Sequence, residues 1–167
     1  MITAGIDMGS RTIKVVFLEE LKVDGAPQLR WGVKGKHIMF PEDLDPDQAA
    51  DKAFEDALKG AGISRDQITR VVSTGSGRKQ VKFANADITE VGAGARGAVF
   101  MCPTAKTVVD VGAEEGRGVK ANAEGKVVDF AGNEKCAAGA GAFAESMSRA
   151  LQLSLKDFGE ASLRSDK

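Results

Sequence analysis

Ala4-Gly5-Ile6-Asp7-Met8-Gly9-Ser10 gives the strongest indication of the fold, because it has a counterpart about a hundred residues later. The counterpart is Val108-Val109-Asp110-Val111-Gly112-Ala113. In both, an apolar strand pattern ends in an aspartate, and a pair of small residues begins two positions after it. A second strand pattern follows each, at residues 13–18 and 118–121, which predicts two β-hairpins. The repeat therefore predicts a duplicated α/β architecture whose two hairpins face each other across a cleft.

Periodic apolar residues predict the elements around the two hairpins. Strands are predicted over residues 1–7, 28–38, 68–73, 107–111 and 127–130, and helices over 47–61, 89–100, 141–151 and 155–163. The helix over 47–61 has apolar residues at helical spacing and is expected to end at Gly62. We expect residues 1–104 to form a first domain and residues 105–167 to form the N-terminal part of a second, incomplete domain.

The composition is that of a soluble globular protein, with 43% hydrophobic and 28% charged residues. The net charge of −1 provides no basic surface for nucleic acid or for an anionic membrane. No apolar run approaches the roughly 20 residues that span a bilayer, and no signal segment precedes the first strand. Two cysteines are too few for a disulfide framework. We therefore expect a cytoplasmic protein with reduced thiols and with neither a nucleic-acid nor a membrane partner.

The first aspartate turn has the residues that a nucleotide phosphate needs. Glycine at position 9 lets backbone N–H groups approach phosphate oxygens without a side-chain clash. Asp7 suits Mg²⁺, which proteins usually hold through water. Around these two residues the turn adds hydroxyl donors and cations that offset phosphate charge: Ser10, Thr12, Arg11 and Lys14.

The second turn, Asp110 with Gly112 and Ala113, is expected to supply the opposite side of the phosphate site. Either turn alone is more simply explained as a hairpin turn, because Asp and Gly dominate turns. Two matched turns in the same strand context favour the nucleotide interpretation. The chain has no Walker-type phosphate loop. Thr74-Gly75-Ser76-Gly77 is expected to connect a strand to a helix near the cleft, and whether it contacts a ligand stays open.

A second chemical site is suggested by Lys135-Cys136-Ala137-Ala138-Gly139, a loop of small residues just before a predicted helix. The helix N-terminus and Lys135 would favour a thiolate, although a lone cysteine is most often buried and inert. One cysteine cannot hold a metal cluster, but two subunits meeting at a symmetric interface could pool theirs. Cys102 is expected to be structural, and His37 is given no catalytic role.

Six motifs along the chain are informative when they are taken together. They are Gly5-Ile6-Asp7-Met8-Gly9-Ser10, Thr74-Gly75-Ser76-Gly77-Arg78, Ile88-Thr89-Glu90, Ala95-Arg96-Gly97-Ala98, Val109-Asp110-Val111-Gly112 and Lys135-Cys136-Ala137-Ala138-Gly139. Together they closely resemble one family, the ATPases of the BadF/BadG/BcrA/BcrD type. This family contains the activators of 2-hydroxyacyl-CoA dehydratases and the ATP-hydrolysing subunits of ATP-dependent benzoyl-CoA reductases. The resemblance covers essentially the whole chain.

The resemblance implies the α/β actin-like, ribonuclease H-like duplicated ATPase fold. It also implies ATP and Mg²⁺ as cofactors, with Asp7 and Asp110 as catalytic residues and the two turns as phosphate-binding motifs. Cys136 would be one ligand of a [4Fe–4S] cluster shared with a homologous ATPase subunit. The other partners implied are catalytic reductase subunits and a ferredoxin donor. The second cluster cysteine and a Gly-Gly turn at adenosine would lie beyond Lys167.

Within the family, Asp110-Val111-Gly112-Ala113-Glu114-Glu115-Gly116-Arg117 looks more like the benzoyl-CoA reductase subunits than the dehydratase activators, and so does the segment 95–99. Two residues depart from the family pattern: Gly94 stands at a common histidine position, and Ala113 replaces the second glycine of the phosphate turn. The expected function is an ATPase subunit that drives low-potential electron transfer for the reduction of an aromatic ring. The alternatives are a dehydratase activator, a small-molecule kinase of the same fold and a noncatalytic fragment.

Overall fold

The structure is a computed structural model, and it describes residues 1–22, 30–41, 44–113, 115–133 and 140–166. Its contacts divide the chain into two compact units, Met1–Ala93 and Gly94–Lys167. The domain boundary predicted after residue 104 remains a prediction.

The first unit is built on a five-stranded mixed sheet with the order β3-β2-β1-β4-β5. β1 pairs with β2 and β2 with β3 in antiparallel fashion, while β1–β4 and β4–β5 are parallel. Because the carboxyl ends of parallel strands meet at one sheet edge, the ends of β1 and β4 lie side by side there. The strands are β1 (Ile2–Met8), β2 (Ile13–Leu21), β3 (Arg30–Met39), β4 (Ile68–Thr74) and β5 (Ala86–Asp87).

One helix, α1 (Pro46–Ala61), covers the buried face of this sheet. It begins where the Asp45 carboxylate accepts a hydrogen bond from the Asp47 amide at 3.0 Å, and it ends at Gly62 with a φ of 66°. Its buried stripe is mostly alanine, and at its centre the Phe54 ring meets the Phe17 ring of β2 edge to face at 5.6 Å. The small side chains let the helix lie close to the sheet.

The second unit contains a three-stranded antiparallel sheet with the order β6-β7-β8. The division between the units falls within α2 (Glu90–Met101), and two more helices follow the sheet. The elements are β6 (Thr107–Val111), β7 (Gly116–Ala121), β8 (Val127–Gly132), α3 (Ala140–Ala150) and α4 (Leu155–Ser162).

The structure confirms every predicted strand and helix, with ends that shift by a few residues. α2 forms despite three glycines. The first two residues of the predicted strand 28–38 lie outside the described residues. β5 was not predicted, because a two-residue strand carries no periodic pattern. Short turns of 3₁₀ helix at Arg65–Gln67 and Arg78–Gln80 were also not predicted.

Candidate functional site

The first aspartate turn is a tight loop that joins β1 to β2. Met8 and Ile13 are the last paired residues, and the Gly9 amide donates a hydrogen bond to the Thr12 carbonyl oxygen at 3.1 Å. A Cβ atom at Gly9 would lie 3.0 Å from that oxygen, so the loop is too tight for a larger residue without a shift. Ser10 and Arg11 on the loop are exposed.

Asp7 and Lys14 face each other across the two strands as Cα partners. The Lys14 Nζ atom donates a hydrogen bond to Asp7 Oδ2 at 2.9 Å. Both side chains are partly exposed, with 35% of the Asp7 and 48% of the Lys14 side chain accessible. The structure thus joins the predicted magnesium ligand directly to one of the predicted phosphate-binding cations.

The glycine-rich loop after β4 lies against the end of β1. Gly75 has a φ of 92°, and a Cβ atom on it would lie 2.5 Å from both Asp7 Oδ1 and the Met8 carbonyl oxygen. The Gly77 amide donates a hydrogen bond to that carbonyl oxygen at 2.8 Å. Glycine at position 75 therefore satisfies both a left-handed backbone and a close approach to the Asp7 carboxylate.

Two cations flank this loop. Arg78 donates hydrogen bonds to the Gly75 carbonyl oxygen and to Asp87 Oδ1, each at 3.2 Å, and Lys79 donates to Asp87 Oδ2 at 3.2 Å. The hydrogen bond from Lys79, helped by Arg78, holds the pKa of the Asp87 carboxyl below its ordinary value. Arg78 thereby ties the glycine-rich loop to the end of β5.

An open pocket with a volume of about 310 Å³ lies beside the first turn. Serine and glutamine side chains make its lining partly polar, and its other lining residues are apolar or glycine. The lining residues are Met8, Gly9, Ser10, Pro41, Leu44, Pro46, Ser76, Gly77 and Gln80. None of these described residues has an ionisable side chain.

The second aspartate turn shares two contacts with the first. Gly112 donates its amide to the Glu115 carbonyl oxygen at 2.8 Å, as Gly9 does to Thr12. Asp110 and Arg117 are Cα partners in the β6–β7 ladder, with Arg117 Nη1 at 3.8 Å from Asp110 Oδ2. Arg117 also pairs with Glu115. Each copy of the motif therefore sets a cation opposite its aspartate.

The first turn of α3 is joined to the backbone of this second motif. The Gly141 amide donates to the Gly112 carbonyl oxygen at 3.3 Å, and the Ala142 amide donates to the Ala113 carbonyl oxygen at 2.9 Å. These contacts satisfy two of the N–H groups that a helix N-terminus leaves without intrahelical partners. A Cβ atom on Gly141 would lie 2.8 Å from Ala113 Cα, so the approach depends on this glycine.

The structure places the predicted residues in two groups. Six lie on the β1–β2 hairpin and three on the β6–β7 hairpin. Cys136 lies outside the described residues. Among the described residues, no group of three or more His, Cys, Asp or Glu side chains could hold a metal ion. Cys102 is exposed, and its thiol lies 3.5 Å from the Thr104 hydroxyl.

Comparison with known proteins establishes the family. Residues 4–167 match the BadF/BadG/BcrA/BcrD ATPase family. The chain belongs to this family. The predicted α/β fold of actin-like ATPases is confirmed, because a solved relative of this chain has the same fold. That relative is the activator of the 2-hydroxyisocaproyl-CoA dehydratase from Clostridium difficile with bound ADPNP. The match covers 100% of this chain and 58% of the relative's chain, with a TM-score of 0.81 and 27% sequence identity.

Two curated relatives of this chain belong to different enzyme systems. The activator of lactoyl-CoA dehydratase from Anaerotignum propionicum is 34% identical over 96% of this chain and 58% of its own length. A benzoyl-CoA reductase subunit from Thauera aromatica is 32% identical over 99% of this chain and 56% of its own. The chain thus spans a little over half the length of these relatives. No helix in its described ranges is both long and apolar enough to cross a bilayer.

Proposed function

We propose that this chain is the nucleotide-binding part of an ATPase subunit that couples ATP hydrolysis to low-potential electron transfer. The observation that supports it is the repeated aspartate hairpin, in which each aspartate faces a cation and each turn closes on the same backbone hydrogen bond. The family of ATPases and the ADPNP-bound relative support nucleotide binding by this chain.

The residues of the first turn fit a magnesium–phosphate group. Asp7 offers a partly exposed carboxylate for the water shell of the ion. Lys14 would turn from Asp7 to the phosphates, and the exposed Ser10 and Arg11 would donate to them. When bound, Mg²⁺ neutralises charge on the phosphoryl group that is transferred. In the second turn, Asp110 is proposed as a catalytic residue, and Gly112 and Ala113 are proposed to bind phosphate.

The link from nucleotide to electron transfer is proposed to run through α3. Its first turn hydrogen bonds to Gly112 and Ala113, while Cys136 precedes it in the sequence. A change of the second turn on ATP binding or hydrolysis would therefore act on the segment that carries Cys136. We propose that Cys136 is one ligand of a [4Fe–4S] cluster shared with a homologous subunit, which would supply one-electron chemistry at low potential.

We propose benzoyl-CoA reductase as the enzyme to which this subunit belongs. The sequence of the second turn from Asp110 to Arg117 and the relative from Thauera aromatica support this choice. The proposed partners are a homologous ATPase subunit, catalytic reductase subunits and a ferredoxin donor in the cytoplasm. The second candidate is an activator of a 2-hydroxyacyl-CoA dehydratase, which the relative from Anaerotignum propionicum favours at nearly equal identity.

The test is electron transfer by the full-length protein purified without oxygen, together with its partner enzymes. ATP-dependent reduction of benzoyl-CoA is expected, and ATP-dependent activation of a 2-hydroxyacyl-CoA dehydratase instead would support the second candidate. Cys136→Ser should abolish electron transfer while nucleotide binding persists. Cys102→Ser is the matched control and should leave both unchanged. Equal loss of nucleotide binding and electron transfer in Cys136→Ser would contradict the separation of roles.

A further inference from the structure

The hydroxyl of Thr74 is buried, and within the described part of the chain it has no hydrogen-bond partner. Thr74 is the last residue of β4 and the Cα partner of Asp7 in the parallel β1–β4 ladder. The neighbouring hydroxyl of Ser73 points to the other face of the sheet and donates to the Arg78 carbonyl oxygen at 2.9 Å. Of the two hydroxyls at the end of β4, only that of Ser73 has a hydrogen-bond partner within the described part of the chain.

A buried hydroxyl without a partner is unfavourable, because it has lost its hydrogen bonds to water and gained none in return. Valine has nearly the same shape without this loss, so packing alone would favour valine at position 74. A threonine at position 74 is therefore best explained by a state of the protein in which its hydroxyl has an acceptor.

The Asp7 carboxylate is the acceptor that the fold sets next to Thr74. Paired residues of neighbouring parallel strands point to the same face, and the strands lie about 4.8 Å apart. Lys14 donates to Asp7 Oδ2, while Asp7 Oδ1 lies against Gly75. A hydroxyl proton rotates freely and threonine χ1 has three staggered positions, so Thr74 needs only a side-chain rotation to turn its donor towards Asp7.

We propose that Thr74 is a positioning residue of the phosphate site: its hydroxyl donates a hydrogen bond to the Asp7 carboxylate when Lys14 turns to a nucleotide phosphate. The proposal rests on the proposed function of the first turn. In the structure Lys14 neutralises Asp7 across 2.9 Å. When that cation leaves, a hydroxyl donor keeps the carboxylate oriented as an acceptor for the water shell of Mg²⁺. The Thr74 hydroxyl would then lack a partner because its hydrogen bond forms only when nucleotide is bound.

The test compares Thr74→Val and Thr74→Ser in the full-length protein. Two quantities are measured: the Tm without nucleotide, and the Kd of Mg-ATP by calorimetry. Thr74→Val should keep or raise the Tm, since no hydrogen bond is lost in the free protein, and should weaken Mg-ATP binding by about tenfold. Thr74→Ser keeps the hydroxyl and should retain the wild-type Kd.

Thr69→Val is the matched control in the same strand. Its hydroxyl is already paired, since it donates to the Ile2 carbonyl oxygen at 2.8 Å. This variant should lower the Tm and leave the Kd of Mg-ATP unchanged. Together the two valine variants separate a hydroxyl used in the free protein from one used only with nucleotide.

Two results would overturn the role of Thr74 alone. One is a Thr74→Val protein that binds Mg-ATP as tightly as wild type. The other is a Tm for Thr74→Val that falls as far as that of Thr69→Val, because the hydroxyl would then already be paired in the free protein. A wild-type protein that binds no Mg-ATP would instead overturn the proposed function, and the role of Thr74 with it.

Discussion

The amide of Ala142 donates a hydrogen bond to the carbonyl oxygen of Ala113 across 2.9 Å. One residue belongs to the first turn of α3 and the other to the second aspartate turn. A shift of the turn must therefore move the helix or break the bond. This contact is the described feature that best relates the proposed phosphate motif to the segment that carries Cys136.

Gly141→Ala tests this contact. The added methyl group would lie 2.8 Å from Ala113 Cα, a backbone atom, so the helix and the turn must separate. We expect the free energy of unfolding to fall by about 1–3 kcal/mol and ATP-dependent electron transfer to fall by about tenfold or more. The Kd of ATP should change much less. Denaturant titration, calorimetry and an anaerobic electron-transfer assay measure these three quantities.

Gly159→Ala is the control for that experiment. Gly159 also lies in a helix, α4, but a Cβ atom there meets nothing within 4 Å. The substitution should stabilise the protein by about 0.5–1 kcal/mol, because alanine is the better helix former. If Gly141→Ala also stabilised the protein and left electron transfer intact, the contact would have no part in coupling.

Lys14→Ala tests the first turn. If Lys14 turns to the phosphates, its loss should weaken Mg-ATP binding by about tenfold to a hundredfold, the range expected for a hydrogen bond to a charged group. Lys34→Ala is a matched control, because Lys34 makes a similar cross-strand ion pair with Glu19 at 3.0 Å in the same sheet. Both changes should alter stability by no more than about 1 kcal/mol, since the pairs are partly exposed. Equal nucleotide affinity in the two variants would rule out a phosphate role for Lys14.

The two hairpins were predictable because the residues that make them are close in sequence. A strand that ends in Asp, Gly and a small residue encodes both the turn and its chemistry within a few positions. Lys14 was predicted as a phosphate-binding cation, but neither the pairing of Lys14 with Asp7 nor that of Arg117 with Asp110 was predicted. The signal was present, since each follows its aspartate by seven positions. Because the two strands of each hairpin pair in this register, residues seven positions apart lie opposite each other.

Contacts between distant segments were harder to predict. Gly75 lies against Asp7 because β1 and β4 pair in parallel, and nothing local in the sequence specifies that pairing. The same pairing sets Thr74 beside Asp7. The predicted cluster ligand Cys136 lies outside the described residues, so its role stays a prediction. Local pattern thus predicted the turns, while long-range register determined which residues meet them.

Asp87→Asn should change how the stability of the protein depends on pH. The hydrogen bond from Lys79 lowers the pKa of Asp87 in the folded protein below its ordinary value of 3.8. A lowered carboxyl pKa contributes stability above the ordinary pKa, and this contribution is lost as the pH falls through the folded value. Wild type should therefore be more stable than Asp87→Asn at neutral pH, with the difference shrinking below 3.8. Denaturant titrations at a series of pH values measure it.

Lys79→Ala serves as the companion variant, because it removes the main cause of the lowered pKa. Asp87→Asn in this background should have a smaller effect on the pH dependence than in wild type. The same pH dependence in both backgrounds would mean that Lys79 does not act on Asp87.

Gln152→Gly should stabilise the protein, because Gln152 ends α3 in a conformation that favours glycine. Its φ is 53°, its amide donates to the Arg149 carbonyl oxygen at 3.0 Å, and the Leu153 amide donates to the Ser148 carbonyl oxygen at 2.9 Å. This is the Schellman pattern, and Gln152 occupies the position that usually holds glycine. Removing the Cβ atom should raise the free energy of unfolding by about 0.5–1 kcal/mol, less the entropy that glycine adds to the unfolded chain.

α1 provides the reciprocal experiment, because the same position there is already glycine. Gly62 has a φ of 66°, and a Cβ atom on it would meet nothing within 4 Å. Gly62→Ala should therefore destabilise the protein by about 1 kcal/mol through the backbone alone. Gln152→Ala, which keeps a Cβ atom at positive φ, should gain less than Gln152→Gly. If Gln152→Ala matched Gln152→Gly in a thermal melt, the gain would come from losing the long side chain, and the left-handed backbone would not be its cause.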